Sequence, residues 1–273
     1  MHPEFQSFDM RGRRLRYVCR GAGAPTIIVE QGGNLSIEAD FLQHQTPGWP
    51  KVFASLARRQ RTLMHDRAGL GWSYEPRKPR SCSQLVKDLR ALLRYAEVGP
   101  PYLLVGHSIG GFNVRLFASQ YPEEVAGVVL VDSAHPDQWT RFRRLVPRPI
   151  PGEPAGLQQL RQKPSPSLTP ELIDYAVSAD EVRTAGALGD TPLVVLSRSP
   201  NAARPSGLPD DLAAGIEEVW SGLQRDLLNL STRSTHVVAT HAGHHLQQDE
   251  PYLVIRTVLE LLRQTSRPPA SVA

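Results

Sequence analysis

Six short apolar runs, spaced along 273 residues and separated by helical patterns, restrict what this chain can fold into. They lie at 26–30, 61–65, 102–106, 128–131, 192–196 and 236–239. Each is continuous rather than alternating, as a strand reads when both of its faces are buried in a parallel sheet. Between the runs, Leu85, Leu89, Leu92 and Leu93 share one face of a helix that starts near Ser81 or Ser83, both good N-caps. A second helix runs from Ser108 to Tyr121 and is stopped by Pro122. A last amphipathic helix covers 253–262, and a hairpin around Arg11-Gly12 opens the chain, with strands near 5–10 and 14–20. Strands alternating with helices predict an α/β fold, a mostly parallel, doubly wound sheet with helices on both faces.

One connection breaks the rhythm. Nearly sixty residues separate Asp132 from Thr191, far more than a crossover needs. The segment is rich in proline and holds two or three helical pieces. In one of them Trp139, Phe142, Leu145 and Val146 form an apolar face opposite arginines. The expected organisation is therefore a core of 1–133 and 191–266, a helical cap of 134–190 over the carboxyl edge of the sheet, and a disordered tail at 267–273. A surface helix pair packed on the core is the plainer alternative for 134–190.

Gly106-His107-Ser108-Ile109-Gly110, followed by Gly111, comes straight after the third run and opens a helix. A serine there stands on a turn so tight that side chains two residues away would collide with strand and helix. It occupies a strained backbone conformation and projects its hydroxyl at the sheet edge. Ser108 is the expected nucleophile, and the amide of Ile109 points at developing negative charge.

A serine hydroxyl needs a base. Of nine histidines, His244 is best placed: it follows Gly243 in the loop between the last run and the last helix, and that loop returns to the sheet edge beside Ser108. His245 and His241 are the fallbacks. His236, His241, His244 and His245 could alternatively be read as a metal site, but no HExxH or carboxylate spacing accompanies them, and no metal is expected. The second oxyanion donor should come from the loop after the 26–30 run, Gln31-Gly32-Gly33-Asn34. Gly33 is the expected donor, with Gln31, Asn34 and His107 near the substrate, and Trp139 and Phe142 contacting it from the cap.

Composition excludes other classes. Apolar residues make up 40% and charged residues 21%, enough for a core. The net charge of +4 is scattered, apart from a cluster at Arg141, Arg143, Arg144 and Arg148. A nucleic-acid surface would show a denser basic stripe with interleaved aromatics, so no nucleic-acid partner is expected. No run is long enough to cross a membrane, and the first twenty residues lack an apolar signal. Cys19 and Cys82 lie in no metal-ligand spacing and read as free thiols, although a disulfide stays open. A cytoplasmic location is expected. Nothing in the sequence bears on oligomeric state.

The stretch from Gly106 to Gly111, the stretch His65-Asp66-Arg67-Ala68-Gly69-Leu70-Gly71-Trp72-Ser73, and Gly243-His244 with Asp249-Glu250-Pro251 resemble the α/β-hydrolase superfamily in order and spacing. Residues 130–138 resemble a group of bacterial hydrolases within it. The resemblance covers nearly the whole chain. It implies an eight-stranded sheet, a Ser–acid–His triad and no cofactor, with Asp66 and Arg67 as architecture. Ser108 argues against the epoxide hydrolases and haloalkane dehalogenases of that superfamily, which carry aspartate at this position. The chain departs from the common pattern twice. Gln31-Gly32 replaces His-Gly before the oxyanion donor. The loop after the seventh strand, Ser197-Arg198-Ser199-Pro200-Asn201, carries no acid.

Asp132, at the carboxyl end of the sixth strand, is the expected acid instead. Some relatives place the acid there, and the order Ser108, Asp132, His244 is kept. Asp210 and Asp211 are the rivals, and helix capping explains both. The expected function is cleavage of a carboxylic ester or related acyl bond through an acyl-enzyme, on a small-molecule acyl substrate. The alternatives are a non-catalytic ligand-binding protein and a non-hydrolytic step on the same fold.

Overall fold

A computed structural model describes residues 4–43, 48–149, 151, 153, 155–161, 169–202 and 208–265. The expected disordered tail at 267–273 lies outside the described residues. These residues form one eight-stranded sheet in the order β1-β2-β4-β3-β5-β6-β7-β8. β1 (Gln6–Asp9) and β2 (Arg14–Arg20) make the opening hairpin and pair antiparallel. β3 (Thr26–Glu30), β4 (Thr62–Asp66), β5 (Tyr102–His107), β6 (Val125–Val131), β7 (Leu193–Ser197) and β8 (Ser234–Val238) run parallel. The hairpin turns at Arg11 and Gly12, where φ is positive at both, and the Gly12 N–H donates to Asp9 Oδ1 at 2.6 Å.

Register sets where chemistry can occur. Glu30 pairs with Gly106, His107 with Val131, Val131 with Leu196, and Ser197 with Val238. The carboxyl ends of β3, β5, β6, β7 and β8 therefore finish on one edge, and the segments that follow them meet there.

Helices cover both faces. α3 (Cys82–Tyr95) and α4 (Gly110–Gln120) lie on one face; α2 (Trp49–Ala57) and α10 (Pro251–Thr265) lie on the other, with α1 (Ile37–Gln43) and the short α9 (Leu246–Asp249). Successive strand side chains point to opposite faces. In β5, Leu104 joins the core with Leu89 and Phe117, whereas Leu103 and Val105 join the core with Phe53 and Val258. Two-sided burial explains the unbroken apolar runs. β8 is the exception: it is the sheet edge, it is only partly covered, and Val238 is exposed.

The long insertion after β6 contains α5 (Gln138–Leu145), α6 (Ala155–Arg161) and α7 (Tyr175–Thr184). Its two ends behave differently. α7 packs into the main core through Ala179 and Val182. Its Glu181 accepts from Ser81 Oγ at 2.7 Å and from the Ser83 N–H at 2.9 Å, and Ser178 Oγ accepts from the Cys82 N–H at 3.1 Å. These bonds satisfy donors that the first turn of α3 leaves open. α5 instead packs on α8 (Asp210–Asp226), where Phe142 stacks on Trp220 in a separate small cluster with Ile216 and Leu223.

Phe117 is fully buried on α4, edge-on to Tyr102 at 5.8 Å and to Tyr121 at 5.3 Å. Phe117→Ala should lower stability by about 3–5 kcal/mol, through lost transfer energy and the cavity left behind. The shift in the denaturant unfolding midpoint measures it.

Candidate active site

Ser108 follows β5 with φ at +52°, in the left-handed region that a non-glycine residue enters only under constraint. The constraint is hydrogen bonding and packing. The Ser108 N–H donates to Val131 O at 3.2 Å, and Ser108 O accepts from the N–H groups of Gly111 and Ala134 at 3.0 and 2.9 Å. A side chain at Gly106 would stand 2.5 Å from Val114 Cγ2, and one at Gly110 would overlap the backbone oxygens of Glu30 and Gln31. α4 can begin this close to β3 and β5 because both positions lack a Cβ.

Ser108 Oγ lies 3.1 Å from His244 Nε2, and His244 Nδ1 lies 2.6 Å from Asp132 Oδ2. Ser108 and Asp132, with a histidine more than one hundred positions further along the chain, thus form one hydrogen-bonded line. His244 is held by its own loop. The Gly243 N–H donates to Asp249 Oδ2 at 2.8 Å, and the His241 and Ala242 N–H groups donate to Glu250 Oε1 at 2.7 and 2.8 Å. Below it, His107 Nε2 sits 2.8 Å from His244 O. His245 is an exposed neighbour, and His236 bonds to Ser197 Oγ at 2.7 Å. Asp210 and Asp211 open α8 and are exposed.

Asp132 is fully buried and carries φ at +38°. Its Oδ1 accepts from Trp220 Nε1 at 2.9 Å and from the Arg198 N–H at 3.1 Å. The Arg198 guanidinium lies 3.6 Å from Oδ2. Burial alone would raise this carboxyl's pKa. The His244 contact, Arg198 and the Trp220 indole outweigh it and hold Asp132 below the usual carboxylate range.

Gly33 and Ile109, which the sequence offers as donors, are neighbours beside the elbow. Gly33 faces the Ile109 side chain, 3.6 Å from where its own Cβ would be. The 31–34 loop that carries it is fixed by buried charges. Arg67 donates to Gln31 O at 2.8 Å and to Gly32 O at 2.7 Å, and pairs with Glu171 at 2.6 Å and with Glu30 at 3.2 Å. Glu171 also accepts from the Asn34 N–H at 2.7 Å. Glu30 further takes His65 at 2.5 Å and Asn113 Nδ2 at 2.9 Å, and is pulled down to about 2 against the effect of its burial.

A cavity of about 490 Å³ opens beside Ser108 and His244. Trp139 and Phe142 from α5 line it. Ile216 and Trp220 from α8, with Tyr175 and Arg198, complete much of the wall. Gln31 and His107 are not on it. Gln31 is buried with its amide 3.3 Å from Asp66 Oδ1, and His107 is buried under the His244 loop. Asn34 is exposed, and its backbone amide is taken by Glu171. Sequence reasoning missed Trp220 and Glu171, which meet Asp132 and the 31–34 loop only through the fold. Arg198 carried a signal, since it occupies the loop where the common acid is absent.

Burial, with the His244 ring beside it, depresses His107 to about 3. A histidine kept neutral in the folded state takes its proton only in the unfolded chain. Its contribution to stability is therefore complete above about pH 6.5 and is lost as the pH falls toward about 3. Between pH 7 and 5 this residue alone should remove up to about 2 kcal/mol. His107→Gln should lose less stability over that interval, as read by denaturant unfolding at the two pH values.

The sequence profile of the α/β hydrolase fold matches residues 25–199. An uncharacterized protein, YqjL, of Bacillus subtilis is 28% identical over 242 residues, covering 86% of this chain and 82% of its own length. Two solved structures share the architecture. Mouse alpha/beta hydrolase domain-containing protein 10 superposes with a TM-score of 0.63 at 16% identity, over 96% of this chain and 100% of that one. An epoxide hydrolase from Vigna radiata gives 0.66 at 15% identity, over 96% and 98%. With the matching profile, the sheet order and the serine elbow in agreement, the chain belongs to the α/β hydrolase fold family.

Proposed function

We propose that this protein is a serine hydrolase that cleaves a carboxylic ester through an acyl-enzyme. The observation that carries the reading is the line Ser108 Oγ, His244 Nε2, His244 Nδ1, Asp132 Oδ2, with gaps of 3.1 and 2.6 Å. Ser108 attacks the ester carbonyl carbon as its proton passes to His244 Nε2. Asp132 holds the ring in the tautomer that leaves Nε2 free, and it stabilises the imidazolium as it forms. The backbone N–H groups of Ile109 and Gly33 receive the negative charge on the carbonyl oxygen. His244 then protonates the departing alcohol oxygen. In the second half a water loses its proton to His244 and attacks the acyl carbon, and Ser108 recovers its proton as the acid leaves.

The elbow supports this reading over the chemistry of an epoxide hydrolase, which in this superfamily needs an aspartate where Ser108 stands. The cavity supports a largely apolar substrate: Trp139, Phe142, Ile216 and Trp220 offer aromatic and aliphatic surface beside the nucleophile. In this reading α5 and α6, joined by α8, act as the cap, and α7 is its anchor on the core.

Ser108→Ala and His244→Ala should each lower kcat by roughly a million-fold, because the groups act as a unit. Asp132→Asn should lower it by about ten-thousand-fold. A chromogenic ester series and covalent labelling by a fluorophosphonate, read by intact mass, measure both. A protein that is folded, unlabelled and inactive on esters, lactones and amides would favour a ligand-binding protein. Phe142→Ala should change the ranking of acyl chain lengths without changing the labelling rate greatly; an unchanged ranking would place substrate elsewhere.

A further inference from the structure

The loop after β7, which lacks the acid common in this fold, is built into the holder of Asp132. We propose that Arg198 and Trp220 are positioning residues that orient this carboxylate and draw part of its charge away from His244. The proposal rests on the acyl-enzyme reading of the site.

Three observations support it. Asp132 receives a backbone N–H from Arg198 and an indole N–H from Trp220 on the same oxygen, Oδ1, which leaves Oδ2 turned to His244. The Arg198 side chain approaches that second oxygen at 3.6 Å, too far for a hydrogen bond and close enough for charge to act. The guanidinium is itself fixed. It pairs with Glu217 at 2.6 Å and lies over the Trp220 ring, 4.8 Å from its centroid. Glu217 and Trp220 both belong to α8, so one helix holds both groups against the acid.

Among the described residues, few groups define the charge environment of His244. From β5 and the elbow come His107 and Ser108, and from its own loop comes His245. Asp132 follows β6, Arg198 follows β7, and α8 supplies Trp220 and, through Arg198, Glu217. Asp249 lies behind, on the Gly243 amide. Burial keeps His107 neutral, which leaves the Asp132 carboxylate as the dominant charge on the ring and Arg198 as the cation that offsets it. Removing an N–H donor or the guanidinium leaves more negative charge for the imidazole. The imidazolium is then stabilised, and the base becomes protonated at higher pH.

The test is the pH dependence of kcat/KM and kcat on an uncharged chromogenic ester, for the wild type, Trp220→Phe, Arg198→Gln and Arg198→Lys. Trp220→Phe keeps an aromatic, if smaller, ring in the wall and removes the indole donor. Trp220→Phe and Arg198→Gln should each lower kcat by about tenfold. They should also move the acid limb upward by about half a pH unit or more. KM should change less than kcat, and Arg198→Lys should return the limb toward its original position. Should Arg198→Gln fold poorly because Glu217 loses its partner, the double variant R198Q/E217Q removes the pair together and should show the same upward limb. Wild-type acid limbs in folded Trp220→Phe and in the folded Arg198 variants would overturn the proposal while the acyl-enzyme reading stands, provided wild-type Ser108 is labelled by the fluorophosphonate. Absence of both labelling and ester turnover in the wild type would overturn the two together.

Discussion

The structure depends on how closely α4 approaches the sheet. The helix starts immediately after Ser108, and its first residues press on β3, while Gly106 lets the end of β5 press on α4. Side chains at Gly106 and Gly110 would force strand and helix apart, and the turn between them would relax. Ser108 could then leave its positive φ, a conformation that is unfavourable by about 1–2 kcal/mol for a residue with a Cβ. Close packing thus holds the strain, and the strain projects the hydroxyl toward the His244 loop. Asp132 repeats the device on the next strand, with a positive φ and an N–H tied to Leu196 O at 2.7 Å. Adjacent parallel strands therefore present a serine and a carboxylate at the same level.

The charges buried behind this edge have a different task. Glu30, His65, Arg67 and Glu171 are almost completely withdrawn from water. Such burial is costly, and the mutual attraction of the groups repays it only when every lone pair and proton is well met. Here the guanidinium spends its donors on two carboxylates and two backbone oxygens, Gln31 O and Gly32 O. The result is geometric: the 31–34 loop is bound to the turn that follows β4 and to the segment that enters α7. Glu171 reaches it from the end of the long insertion, so the amides near Ser108 and the returning chain of that insertion share one network. Gln31, which stands where the family more often has histidine, turns inward to Asp66 and takes no part in the cavity wall.

The walls of the cavity divide by chemistry. Its floor is polar, with Ser108, His244 and, just behind them, the Asp132 carboxylate. Its sides are mainly aromatic and aliphatic and come from α5 and α8, elements separated in the chain by β7. Trp220 belongs to both parts. One edge of its indole bonds to Asp132, while its ring lies among Phe142, Ile216 and the Arg198 guanidinium. Reshaping the apolar wall at this residue would therefore also disturb the acid.

Local rules made much of this legible. Apolar runs without alternation give two-sided strands, and a glycine pair flanking a serine between strand and helix gives the elbow, because both patterns follow from short-range sterics. The loop after the last strand had to return to the edge that holds Ser108, which made His244 readable. Other features are settled by contacts with no periodic or sequential trace. Trp220 stands 88 positions from Asp132, and Glu171 stands 104 from Arg67. The division of the insertion, with α7 in the core and α5 on α8, also depends on which partner faces each apolar stripe. By itself, the sequence determined the sheet, the strained serine and the loop that brings a histidine to it. Only the tertiary structure decided what holds the acid, what fixes the 31–34 loop and what lines the cavity, because each depends on side chains that meet when distant elements pack together.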